Sequence, residues 1–419
     1  VAKGINKRKI INDPVHGFIS VPGDFIYDLI QNAFFQRLRY IRQLGLTDNV
    51  FPGASHTRFL HSLGALHLTG QAINTLKGKG VEISDSEEEA LQAAILLHDI
   101  GHGPFSHALE SLITEGVNHE ELSLFVMNIL NRSLKGRLSM AIEMFRGTYE
   151  RQFFHDLISS QIDMDRLDYL LRDSFYTGVV EGSVGADRII KMLNVSDNRL
   201  VVDEKGIYSV EKFLIARRLM YWQVYMHKTV VSAEKLLMAI VRRARALVSA
   251  GESLQSAESV SFFLKNRLSG EMLEEVNSYA GDIAGNFLSL DDNEVMSSLR
   301  MWSRSDDVVL SLLSSRLLKR ELFAIELRRS PFEDDIISNM AVMAEKLFSL
   351  KPGEGSNLVF SGAVSNMTYA PSAPRVRIMD KKGVINEITE VSDILDHKAL
   401  SREVTKYFLC YPKELRGKI

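Results

Sequence analysis

A mainly α-helical fold is predicted for this chain, with short β-hairpin insertions and a small C-terminal α+β appendage. Three observations predict it. Apolar residues recur at helical spacing over long windows. Glycines close two of those windows, Gly78 and Gly80 after one and Gly101 and Gly103-Pro104 after another. Strand-like runs are short and confined to the neighbourhood of residue 200 and to the stretch beyond 350.

Taken in order, a helix is expected from about Thr57 to Leu76, closed by Gly78 and Gly80. Ser84 with Glu87 makes a capping box ahead of an apolar-periodic run from Glu88 to His98, which Gly101 and Gly103-Pro104 stop. Further helices are expected across Ile158 to Arg172 and from about Val210 to Leu247. Between these two, Arg199 to Val202 and Ile207 to Ser209 flank Asp203-Glu204-Lys205-Gly206 and read as a hairpin. Ser305 with Asp306 and Asp307 opens a helix to about Leu327. Near Lys351 the pattern changes to loop, then strands at Leu358 to Phe360 and Val376 to Met379, with a turn at Asp380 to Gly383. The expected division is a core at 1–330 and a small α+β domain at 331–419.

Composition limits the function classes. A net charge of −3 over 419 residues argues against a protein dominated by nucleic-acid contacts. A single cysteine, Cys410, excludes an internal disulfide and fits a reducing compartment. Val1 to Ile11 is basic without the apolar segment of a signal peptide, and no apolar run approaches the roughly 20 residues that span a bilayer. A cytoplasmic protein with no membrane partner is the expectation.

The densest chemistry lies in His98-Asp99-Ile100-Gly101-His102-Gly103-Pro104-Phe105-Ser106-His107, three histidines and a carboxylate at a helix end. Two other segments have the character to complete a metal site. One is His56-Thr57-Arg58-Phe59-Leu60-His61, early on its helix. The other runs from Asp163 to Asp173, with carboxylates at Asp165, Asp168 and Asp173 in an apolar helix pattern. Charge so close to core positions is costly unless paired or metal-bound. Asp168 has a pairing partner at Arg172. Two imidazoles and two carboxylates suit Mn, Fe, Mg, Ni, Co or Zn, and such a centre suits phosphate-ester hydrolysis.

Assembled, these residues resemble the HD-domain phosphohydrolases, most of all the deoxynucleoside triphosphate triphosphohydrolase branch. The resemblance covers about residues 9 to 330. It is carried by Asn12-Asp13-Pro14-Val15-His16-Gly17, the block from Phe35 to Gly45, Phe51 to His56, the histidine-rich decapeptide, the aspartate run and Tyr225-Met226-His227-Lys228. It implies a helical HD core at 1–330, with the metal site within 56–173 and a helical extension at 174–330. It implies one divalent metal per subunit on His61, His98, Asp99 and Asp165. His107 is implied as proton donor or α-phosphate contact, with His102, His119 and Glu120 beside the attacked phosphorus. Arg58, Arg166 and Arg217 match triphosphate positions. Gln43, Leu44, Tyr169 and Asp173 match the sugar pocket, and Tyr225 packs near sugar and base. The implied reaction is hydrolysis at the α-phosphorus of a deoxynucleoside triphosphate (dNTP), releasing deoxynucleoside and inorganic triphosphate. The alternatives are an HD-type hydrolase for other nucleotides or phosphomonoesters, and a nucleotide sensor with a residual site.

The resemblance further implies a homo-oligomer, dimer or tetramer, and a second nucleotide as activator. Gln31 stands where the mammalian relative has an acidic guanine reader, and Ser311 and Ser315 stand near its basic phosphate contacts. Gln36, Arg39, Lys9 and Asn12 are similar to other contacts of that activator site.

Overall fold

The computed structural model of the chain describes residues 9–114, 116–274, 280–366, 375–394 and 403–418, the side chains of 107, 108, 111, 272, 274, 280 and 366 excepted. The helix Arg58–Gly78 runs through the middle of the core. Leu63, Ala65, Leu66, Leu68, Ala72 and Ile73 are all buried, so it is covered all round, as a central helix must be. Asp85–Leu97 and Met164–Thr177 pack against it. Ser84 accepts from the Glu87 amide while Glu87 reaches back, which satisfies two orphan donors and fixes where Asp85–Leu97 starts. Asp163 caps Met164–Thr177 through the Arg166 amide.

At the N-terminal side, Ile10–Asp13 and Gly17–Ser20 form a hairpin. Asp13 accepts from the amides of Val15 and His16 at 2.9 Å each, an Asx-type turn that aims His16 into the core.

Several expected elements are corrected. The hairpin near 200 pairs Leu193–Ser196 with Arg199–Asp203, and its turn is Asp197-Asn198, with φ of 50° and 59°. Both values suit a type I′ turn, for which asparagine and aspartate are tolerated. Ile207 to Ser209 instead begins the helix Ile207–Met220. The single helix expected across 210–247 is three pieces: Ile207–Met220, a π-helical turn Tyr221–Tyr225, and Lys228–Ser249 capped by His227. The one expected over 158–172 is split, because Asp163 accepts from Ser160 and restarts the chain after Phe153–Ile158. The helix expected over 305–327 is Val308–Leu318, capped by Asp307, and Ala324–Arg328 is a strand.

Residues beyond 330 pair back onto earlier ones. Val404–Tyr411 lies between Ala324–Arg328 and Phe360–Asn366, antiparallel to both. Arg377–Met379 runs parallel to Arg199–Asp203, with Val202 opposite Ile378, and antiparallel to Ile385–Glu387. Val376, Ile378, Ile388, Leu409 and Tyr411 join the same apolar cluster as the central helix. No helix among the described residues is long and apolar enough to cross a membrane.

Candidate metal centre and adjoining cavity

The central helix brings His61 against His98 and Asp99, at the end of Asp85–Leu97, and against Asp165, in the first turn of Met164–Thr177. The His61 Nε2 to His98 Nε2 distance is 3.3 Å. Oδ1 of Asp165 is 3.0 Å from His61 Nε2 and 3.6 Å from His98 Nε2. Asp99 approaches His98 at 3.3 Å and His61 at 3.7 Å. One ligand atom from each of His61, His98 and Asp99 lies within 4.8 Å of the others.

The far sides of both rings fix their tautomers. His61 Nδ1 is 2.8 Å from Asp168 Oδ2, and His98 Nδ1 is 2.6 Å from the Ile95 carbonyl. Both partners only accept, so each Nδ1 carries a proton and each Nε2 is turned toward Asp99 and Asp165. Two imidazole nitrogens and two carboxylates therefore converge, with Arg58 donating to Asp99 beside them. That is a donor set for a divalent cation, and His61, His98 and Asp99 can hold one. Burial lowers the basicity of His61, yet its bonds to Asp165 and Asp168 and the charge of Asp99 prevail, lifting it to about 10. A divalent cation bound here would displace that proton.

Behind it lies a network that the sequence only hinted at. Asp168 takes His16 Nε2 at 2.6 Å, His61 at 2.8 Å and Arg172 Nε at 2.9 Å, and Arg172 reaches Asp13 at 2.8 Å. All but His16 are fully buried or nearly so. A Cβ at Gly64 would stand 1.8 Å from Asp168 and 2.3 Å from Arg172, so only glycine lets this network close against the central helix. The Asp13-to-His16 block was the available signal, but its long-range partner was not readable.

On the solvent side, Gln43, Leu44, Arg58, Tyr169, Asp173 and Tyr225 all line one cavity of about 300 Å³. Backbone bonds from Gln43 to His56 and from Arg58 to Ile41 clamp the 41–44 loop to the head of the central helix. Arg58 donates to Asp99 and, at 3.0 Å, to Ser106, so it joins the cavity to the metal cluster. Asp173 accepts from Tyr225 at 2.7 Å and pairs with His56 at 2.8 Å. The amide oxygen of Gln43 is buried with no partner among the described residues.

Sequence reasoning missed what shapes this wall. Phe105 and Ser106 both take positive φ, 53° and 54°, a conformation costing roughly 1–2 kcal/mol per non-glycine residue. Asp292 offsets this by accepting from the Phe105 and Arg42 amides, at 2.8 and 3.0 Å. Gly45, with φ of 51°, passes so close that a Cβ would meet the Phe105 carbonyl at 3.0 Å. Arg37 donates to the His102 carbonyl at 2.9 Å.

The other expected residues fall in different places. His102 is buried, 3.4 Å from Asp99 and stacked on His119 with centroids 4.0 Å apart. Burial and the Arg58 charge hold its basicity well below the ordinary range. His119 pairs with Glu110 at 3.1 Å. Glu120 is exposed. The side chain of His107 lies outside the described residues. Arg166 pairs with its own cap Asp163, and Arg217 donates to Gln161 at 3.0 Å. Neither lines the cavity, although both charges act on Tyr169, whose hydroxyl burial pushes up to about 12. Gln31 is exposed, and Ser311 and Ser315 turn their hydroxyls onto the Ser303 carbonyl.

Comparison with known proteins agrees with this geometry. The HD domain model matches residues 58–173, and the HD associated region matches 184–267. The uncharacterized protein YwfO of Bacillus subtilis is 32% identical, over 98% of this chain and 94% of its own length. The deoxynucleoside triphosphate triphosphohydrolase SAMHD1 homolog of Dictyostelium discoideum is 36% identical over 55% of this chain, which spans 48% of that relative. A crystal structure of a phosphohydrolase from Bacteroides thetaiotaomicron is 48% identical and superposes with a TM-score of 0.92, covering 97% of this chain and 100% of that one. With the HD domain model spanning the His98–Asp99 pair and a relative matched over nearly its whole length, the chain belongs to the HD-domain phosphohydrolase family.

Proposed function

We propose that this phosphohydrolase cleaves dNTPs to deoxynucleoside and inorganic triphosphate. The observation that carries the reading is the cavity beside the His–Asp cluster. It unites Gln43, with an unpartnered buried amide oxygen, with Leu44, Tyr169 and Asp173 in one wall. A sugar hydroxyl donating to Gln43 would relieve that orphan acceptor. Asp173, already taken by His56 and Tyr225, keeps lone pairs for the same hydroxyl. Leu44 and Tyr169 would close on the sugar where a ribonucleotide carries its extra hydroxyl.

His61, His98, Asp99 and Asp165 would hold the cation. When bound, a divalent cation there supplies Lewis acidity toward water and a phosphoryl oxygen. Arg58 would bind the triphosphate while keeping Asp99 oriented, with Arg166 and Arg217 adding positive charge along the Tyr169 side. Water oxygen bonds to the α-phosphorus, the bond from phosphorus to the 5′ oxygen breaks, and that oxygen takes a proton. His107 is the proposed donor. His102 and His119 would orient groups near the phosphorus, with Glu120 relaying protons. A cytoplasmic homo-oligomer, with a second nucleotide as activator, belongs to the same reading.

The test is a product assay on each dNTP and NTP with Mn or Mg. Intact triphosphate from deoxynucleotides alone supports the proposal. Orthophosphate release, or equal turnover of ribonucleotides, overturns it.

A further inference from the structure

One carboxyl in the cavity wall has no task in this reaction. Glu234 sits on Lys228–Ser249, a helix that packs against the turns Thr47–Asn49 and Ser106–Leu109. No hydrogen bond or ion pair reaches it among the described residues, whereas Asp99 and Asp173 in the same region are both engaged. Its neighbour Lys235 points elsewhere, toward Met238 Sδ at 3.7 Å and the Phe408 ring at 5.5 Å. Lys235 is also the one charge that acts on it. Burial raises this carboxyl to about 7. The residue is half-buried and lines the cavity, where a ligand bringing N–H donors can pair with it.

We propose that Glu234 reads the base of the bound nucleotide, accepting two parallel N–H donors from a guanine-type edge. The inference rests on the reading of the cavity as a dNTP site. A carboxylate presents two adjacent acceptors. Among the DNA bases, guanine alone presents two adjacent donors, its ring imino and exocyclic amino groups. Thymine sets one N–H between two carbonyls, which would face the carboxylate unfavourably. Adenine and cytosine each offer one amino group beside an acceptor nitrogen. Sites built to pair buried polar groups reject the analogue that leaves them unpaired.

The experiment compares kcat/KM for dGTP and dTTP in the wild-type chain and in Glu234→Gln, which turns one acceptor into a donor. Calorimetric binding of deoxyguanosine and thymidine to the same proteins runs alongside. The expected result is a wild-type preference for dGTP that falls by about tenfold or more in the variant. Glu234→Asp, with the carboxylate kept on a shorter stem, should retain part of the preference, and thermal midpoints check that each variant is folded. An unchanged dGTP to dTTP ratio in folded Glu234→Gln overturns the inference while leaving the reaction standing. If the wild type turns over no dNTP, the functional reading fails by itself. Nucleoside binding then decides: selective loss of deoxyguanosine supports base reading, and equal binding of both overturns it.

Discussion

His61 belongs to two charged clusters, and the contrast between them explains the site. Its Nδ1 side faces Asp168, Arg172, Asp13 and His16, where each carboxylate meets a donor and the whole is buried. Its Nε2 side faces His98, Asp99 and Asp165, where Arg58 pairs with Asp99 and no arginine hydrogen bond reaches Asp165 among the described residues. The two carboxylates that divide these roles, Asp165 and Asp168, are one helical turn apart on Met164–Thr177. The closed cluster holds a ring in place and leaves nothing over. The open one has the side chains to hold a cation. Similar residues three positions apart thus do opposite work, and the difference lies in which of them has an arginine.

The sharpest way to break this contrast is to remove one residue from each side. Asp165→Ala should lower bound metal from about one ion per chain to almost none, with turnover down by roughly 10³-fold. Elemental analysis with circular dichroism checks it, and full metal content would refute the open set. Arg172→Leu should do the reverse, leaving Asp13 and Asp168 buried without their cation at a cost of about 3–5 kcal/mol. Urea unfolding reads that, and a loss below about 1 kcal/mol would mean the closed cluster is not what holds the ring.

Gly64→Ala pushes a Cβ into both Asp168 and Arg172 and should cost about 1–3 kcal/mol, with weaker metal binding as His61 shifts. Unfolding midpoint and metal titration together sharpen the link between the two clusters. Tyr225→Phe removes one donor from Asp173, and kcat/KM should fall by several-fold, about 1 kcal/mol.

The smallest effect comes from a closed pair far from the site, Asp307 with Arg243. Burial would raise the Asp307 carboxyl, but its bond to Arg243 prevails and lowers it. The folded state thus binds this proton less readily than the unfolded chain. The pair's contribution is present above the ordinary carboxylate range and lost as pH falls below it. Asp307→Asn should flatten the loss of unfolding free energy between about pH 5 and about pH 3. An identical acid limb would remove the pair from the account.

Much of this was readable in the chain, for physical reasons. Ser84 and Glu87 announced a helix start because capping is local chemistry. Gln43, Arg58, Tyr169 and Tyr225 were placed by family motifs and do share a cavity. The π-helical turn at Tyr221–Tyr225 was invisible, because apolar periodicity does not mark a single widened turn. Asp292, which ties the 42 and 105 backbones together, lies far away in sequence and carries no motif. The hairpin near 200 was misplaced because Asp203 to Gly206 looks as turn-like as Asp197-Asn198. Only the pairing of Leu193 with Val202 decides between them.

The most direct test of the whole account follows where the water oxygen goes. Single-turnover hydrolysis of a dNTP in isotopically heavy water, read by mass spectrometry, separates the possible bonds. The expected result is one heavy oxygen in the released triphosphate and none in the deoxynucleoside, as attack at the α-phosphorus requires. Label in the nucleoside, or in orthophosphate, would contradict it.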